Sequence, residues 1–193
     1  MKKCDTKNDI LEAALNVFSQ NNYHTTTMTM IAEEAGVSKG TLYWHFDSKE
    51  ELFRDLLLSG LDMFSNYFKK TALEDISADK KIYEIIKFGV EVLVKNAKTA
   101  NILRNNVELI SKKFQEKVEE KHDQNIEIFK KIIEQGIKEG SIKDCNPRNT
   151  AVMMLAVLFT SHADWLLEEF ADIEKQIEFT YDFVMNGIRR KEN

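Results

Sequence analysis

At 193 residues, with 43% hydrophobic and 31% charged side chains, the chain can build one large domain or a small domain joined to a medium one, and composition excludes global disorder. One proline (Pro147), seven glycines and few β-branched runs between turn signals leave little room for strands, so an all-α fold is expected. The net charge of −5 does not announce a nucleic-acid partner, and the first 50 residues hold five lysines against seven acids, so any DNA reading must rest on local geometry.

No basic, apolar, small-residue leader opens the sequence, and secretion is not expected. Cys4 and Cys145 lie far apart without metal-type spacing, which argues against a disulfide framework or zinc site and for reduced thiols in a cytoplasm. The first helix is "TKNDILEAALNVFSQ", with Thr6 as its expected cap and Ile10, Ala13, Ala14, Val17 and Phe18 on one face. A polar "NNYHTTT" follows, in which His24 reads as a loop residue and Thr26 or Thr27 can cap the next helix. That helix, "MTMIAEEA", is short and is ended by Gly36. Ser38 then stands where a cap is wanted for a second short helix over 39–45, and Ser48 with Glu51 forms a capping box that opens a long helix to about residue 69.

Longer helices are expected beyond residue 70: one around Ile82–Val94, one over roughly 100–112, and one over roughly 115–139 closed by Gly140. Asn146-Pro147 is a strong start signal for a helix over 147–169, whose front is apolar nearly all round and so should be covered on several sides. Its "AVMMLAVLF" run is nine residues long, whereas crossing a bilayer takes about 20, so no membrane partner is expected. A last helix is expected over 173–190.

The helices on either side of Ala35-Gly36-Val37-Ser38 have helix-turn-helix spacing. Leu42 and Phe46, four residues apart, share a face and should enter a core, which turns Tyr43, Trp44 and His45 outward. Tyr, His and Lys donate to phosphate oxygens, which sets register on a duplex. Lys49 in the first turn of the long helix and Thr27 at the head of the preceding short helix are further candidate phosphate donors. Lys39 and Thr41 are placed to reach base edges, and Gly40 lets the backbone come close. For Trp44 the alternative is packing against the flanking helix.

The run "TTTMTMIAEEAGVSKGTLYWHFDSKEEL" strongly resembles the N-terminal domain of TetR-family transcriptional regulators over about residues 6–60, and Gly136, Gly140 and Ile142 before Pro147 fit the same pattern. The resemblance implies a DNA-binding domain over 6–50, a helical effector and dimerisation domain over 51–193, and the 48–69 helix joining them. It implies a homodimer formed through about 147–169 and 173–190, an inverted-repeat operator in double-stranded DNA, and a small-molecule effector that releases it. The DNA contacts it carries over are Thr27, Lys39, Thr41, Tyr43, Trp44, His45 and Lys49, beside Ser38 and Gly40 from the reading above. The arginines many relatives place near the turn are missing here.

For the effector, His122, His162 and Trp165 are candidate lining residues, with Asp164 and Phe159 nearby; a structural histidine, or a core or dimer-seam aromatic, is the plainer reading of each. The phenylalanine- and isoleucine-rich middle suggests a lipophilic or aromatic compound. No nucleophile–base pairing, cofactor motif or metal-type spacing stands out, so no catalytic residue, cofactor or metal is expected. The rival readings are a helical enzyme and a helix-turn-helix protein without a small-molecule effector.

Overall fold

The computed structural model describes residues 6–21, 23–95, 112–158 and 172–190, and these contain eight α-helices. They are α1 (Thr6–Gln20), α2 (Met28–Glu34), α3 (Lys39–His45), α4 (Lys49–Leu73), α5 (Ala78–Lys95), α6 (Lys112–Glu139), α7 (Pro147–Leu158) and α8 (Ile173–Ile188). Cys4, the helix expected over 100–112, and Phe159, His162, Asp164 and Trp165 lie outside the described residues. Thr6 is the first helical residue of α1 rather than its cap. None of the described helices is long and apolar enough to cross a membrane.

Two compact units divide within α4, between Leu61 and Asp62, and again within α6, between Glu116 and Lys117. In the first, the apolar stripe of α1 (Ile10, Ala14, Phe18) closes on Ile31 of α2, Leu42 of α3, and Leu52 and Phe53 of α4. An aromatic knot anchors its base: the Phe53 ring meets Phe18 edge-on at 5.2 Å and Tyr23 at 4.9 Å. Edge-to-face pairs at such distances add to the area term.

The second unit has its own core, in which Phe68 of α4, Ile82, Ile85 and Ile86 of α5, Phe129, Ile132 and Ile133 of α6, and Leu155 of α7 are buried. Asn146 caps α7, its Oδ1 accepting from Asn149 N at 3.0 Å, and Pro147 takes the first helical position. Gly140 closes α6 at φ 78°, and the segment after it pairs with the end of α8 through an isolated bridge between Ile142 and Arg189. Ile142 lies so close over Gly136 that a Cβ there would stand 2.5 Å from its Cδ1.

A buried cation ties the turn after α4 to α6. Lys81, 5% exposed, donates to Ala72 O at 2.8 Å and to Gln135 Oε1 at 2.9 Å. Gln135 Nε2 donates in turn to Ile76 O at 2.9 Å, and Glu139 Oε2 accepts from Ala78 N at 2.9 Å. Orphan carbonyls at a helix end are thus met by side chains.

On α7, Ala151, Met154, Leu155 and Leu158 are buried, whereas Met153 is 66% exposed and Val152 is exposed as well. On α8, Ile173, Phe179 and Phe183 are also exposed, the last at 63%, and the two phenylalanine rings stack 6.4 Å apart.

Candidate nucleic-acid interface

The corner between α2 and α3 is built from local hydrogen bonds. Thr27 Oγ1 accepts from Met30 N at 3.2 Å and starts α2. At its end, Gly36 adopts φ 65°, Gly36 N donates to Glu33 O, and Val37 N donates to Ala32 O at 3.0 Å. Those two reversed bonds are the Schellman closure, and the left-handed residue it requires is glycine. Ser38 Oγ then accepts from Thr41 N at 3.0 Å, which starts α3 two residues after the turn.

Leu42 and Phe46 are buried to within 1% of complete, as their spacing requires. Their burial fixes the roll of α3, so Lys39 and Gly40 are exposed, Tyr43 is 51% exposed and Trp44 is 79% exposed. Trp44 therefore leaves the flanking helix uncontacted over most of its surface, and its ring meets His45 edge-on at 4.6 Å. His45 is half-buried. Thr41 is half-buried too, its hydroxyl sharing a hydrogen bond with that of Ser38 at 2.9 Å. A Cβ on Gly40 would meet only Ser38 Oγ at 3.6 Å, an ordinary contact, so the fold itself does not demand glycine there.

Lys49 is turned inward. Its ammonium donates to Tyr23 O at 2.6 Å and Thr26 O at 2.8 Å, with His24 O at 3.5 Å, and sits 4.4 Å from the centre of the Tyr23 ring. Burial lowers its pKa. The side chain thus braces the α1–α2 turn, a role that its place in the first turn of α4 did not signal. The capping box that precedes it is also shifted. Ser48 Oγ accepts from Glu51 N at 3.1 Å, but the Glu51 carboxylate reaches past Ser48 to Asp47 N at 2.7 Å. His24 is exposed, its ring edge-on to Tyr23.

His122 is exposed on α6, whereas His162 and Trp165 lie outside the described residues. The second unit carries a groove of about 570 Å³ bounded by Glu74, Asp79, Tyr83, Glu84 and Tyr181 among others. It is open and rimmed by acids, unlike an enclosed apolar cavity. Within it the Tyr181 hydroxyl donates to Asp79 Oδ2 at 2.6 Å, and burial together with that carboxylate pushes its pKa up to about 12. Among the described residues no group of three or more His, Cys, Asp or Glu side chains is placed to hold a metal ion.

Two family models match the chain: "Bacterial regulatory proteins, tetR family" over residues 10–56 and "Tetracyclin repressor-like, C-terminal domain" over residues 75–168. An HTH-type transcriptional regulator of Bacillus subtilis strain 168, YhgD, whose role is uncharacterised, is 32% identical over 161 residues, covering 83% of this chain and 84% of that one. The fatty acid metabolism regulator protein of the same organism is 23% identical over 184 residues, covering 94% and 95%. Among solved structures, the transcriptional regulator FadR from Bacillus subtilis in complex with stearoyl-CoA superposes with a TM-score of 0.75 at 22% identity, over 93% of this chain and 98% of that one. At that identity the likeness speaks for the fold alone.

Proposed function

The chain belongs to the TetR family of transcriptional regulators, DNA-binding proteins and not enzymes, and from that premise we propose that it is a homodimeric cytoplasmic repressor released from an inverted-repeat operator by a small lipophilic or aromatic effector. The observation that carries the DNA half is the exposure of Lys39, Gly40, Tyr43 and Trp44 on a short helix whose opposite face, Leu42 and Phe46, is locked in a core. A rigid helix with a polar, aromatic outer face at a helix-turn-helix corner is suited to a major groove.

In this reading Lys39 and Thr41 meet base edges. Tyr43, Trp44, His45 and Thr27 meet the phosphate backbone, and Gly40 allows close approach. Ser38 holds the head of α3 in place. Lys49 serves the same surface by fixing the turn before α2, since turning to a phosphate would break its bonds to the carbonyls of Tyr23, His24 and Thr26.

The exposed apolar side chains of α7 and α8 support a dimer seam within 147–169 and 173–190. A two-fold pair presents its recognition helices about 34–36 Å apart. α4 runs unbroken from Lys49 to Leu73, so a tilt of its far end shifts the end that carries the DNA module. An effector that prefers the spread form weakens DNA binding by the ratio of its affinities for the two forms. The isoleucine-rich core of the second unit supports a lipophilic body. The similarity to a fatty acid metabolism regulator makes long-chain lipophilic compounds a first class to try.

Selection of genomic fragments bound by the purified protein should return an inverted repeat. Lys39→Ala is expected to weaken binding by about 1–3 kcal/mol and to relax preference at one base position. Tyr43→Phe, which removes a phosphate donor, should weaken all sequences alike. A monomer that ignores every palindromic duplex at low salt overturns the reading. So does an effector that raises operator occupancy, for the release mechanism.

A further inference from the structure

Three side-chain oxygens of the second unit are buried without a hydrogen-bond partner: Ser65 Oγ on α4, Asn125 Oδ1 on α6 and Gln176 Oε1 on α8, in residues no more than 3% exposed. Two of them can be placed opposite each other. Lys121 of α6 pairs with Asp62 of α4, and eight residues further along α6 the Phe129 ring meets Phe68 edge-on at 5.1 Å. Asp62, Ser65 and Phe68 share one face of α4 at helical spacing, and Lys121, Asn125 and Phe129 share one face of α6. The contacts advance in the same direction along both helices, so Ser65 and Asn125 occupy the turn between the ion pair and the ring pair. There they do not bond to each other: Ser65 Oγ and Asn125 Oδ1 both stay unpaired.

We infer that this layer between α4 and α6 is a polar subsite for an uncharged ligand that carries one hydroxyl or amide group on an aromatic or alkyl body. The inference rests on the reading of the second unit as effector-binding and deepens it by naming the chemistry of the effector's polar end. A buried oxygen left without a donor is costly, and native interiors seldom tolerate it without a partner to come. Asn125 Oδ1 needs a donor, and Ser65 can both accept and donate. A hydroxyl or amide does both, and it satisfies the pair whichever way the Asn125 amide is turned. A carboxylate brings no donor, and Lys121 already faces Asp62. The flanking rings of Phe68 and Phe129 supply the apolar wall. Since Ser65 lies on α4, a ligand seated here touches the helix that leads to the DNA module.

The test uses the full chain and four soluble probes: benzyl alcohol, benzamide, toluene and benzoate. Binding is read by NMR shift changes of labelled protein. Benzyl alcohol and benzamide should bind at least about 10-fold more tightly than toluene and benzoate, the ratio expected when a buried polar group gains its partner. Ser65→Ala and Asn125→Leu should each shrink that preference several-fold. Ser65→Ala should also keep or raise the melting temperature of the ligand-free protein, because it removes only an orphaned hydroxyl. A fall in melting temperature for Ser65→Ala identifies a structural hydrogen-bond role and overturns the inference. Equal binding of all four probes, or a preference untouched by both variants, overturns it as well and leaves the layer to water. Operator binding by the same preparations separates this failure from that of the repressor reading: intact DNA binding with no probe preference sinks the subsite alone.

Discussion

Lys49 has three donors and spends them on carbonyls of residues 23, 24 and 26, which lie more than 20 positions before it in the chain. Hydrogen bonds from a charged group to buried backbone are among the stronger ones, about 1.5–3 kcal/mol each in favourable settings. Lys49 is half-buried, and water can replace part of what is lost. Lys49→Met should therefore lower the unfolding free energy by about 1–3 kcal/mol, read as a lower urea midpoint at unchanged slope. Unchanged stability with weakened DNA binding would instead assign the ammonium to a phosphate. The caps show which residue roles can be read in advance. Ser38 and Thr27 bond to N–H groups three positions on, so local spacing gives them away. Leu42 and Phe46 were legible for the same reason, and with them the outward aspect of Tyr43 and Trp44. The inward turn of Lys49 was not, because its partners are remote in sequence and no periodicity records them.

Between α6 and the segment that follows it the chain makes a contact that tolerates no extra atom. A Cβ at Gly136 would stand 2.5 Å from Ile142 Cδ1, 2.7 Å from Ile142 Cγ1 and 3.1 Å from the Ala78 Cβ. The glycine sits mid-helix, where it is ordinarily a weak choice, so close approach explains its presence. Gly136→Ala should destabilise the protein by about 1–3 kcal/mol by chemical denaturation. Combined with Ile142→Ala, the loss should fall short of the sum of the two single changes by at least about 1 kcal/mol, since the clash then has no second party. Strict additivity would show that the helix shifts to make room. At this scale the sequence pattern did well on starts and stops: Asn146-Pro147 and Gly140 mark ends that the structure confirms. It did less well on lengths, since α4 runs to Leu73 and not to about residue 69. The last turns of α4 end where Lys81 and Gln135 meet the carbonyls of Ala72 and Ile76, again a long-range arrangement.

The helix-turn-helix motif was legible because it is local and its core closes on itself. The face that α7 and α8 leave in solvent was harder to see. The apolar pattern along α7 calls for cover on several sides, and within one chain Met153 and Val152 remain exposed. If a second copy covers them, Phe179→Glu with Phe183→Glu should give monomers by sedimentation and reduce operator affinity by at least about 30-fold, as expected when central apolar anchors are lost. A double variant that sediments and binds as the parent does would place the seam elsewhere. The stacked pair of Phe179 and Phe183 has one more consequence. If the proposed second copy completes the fold there, then by mass action stability rises and falls with abundance. Scarce, newly made copies would then stand most open to proteases, and dilution by growth would shorten the protein's lifetime.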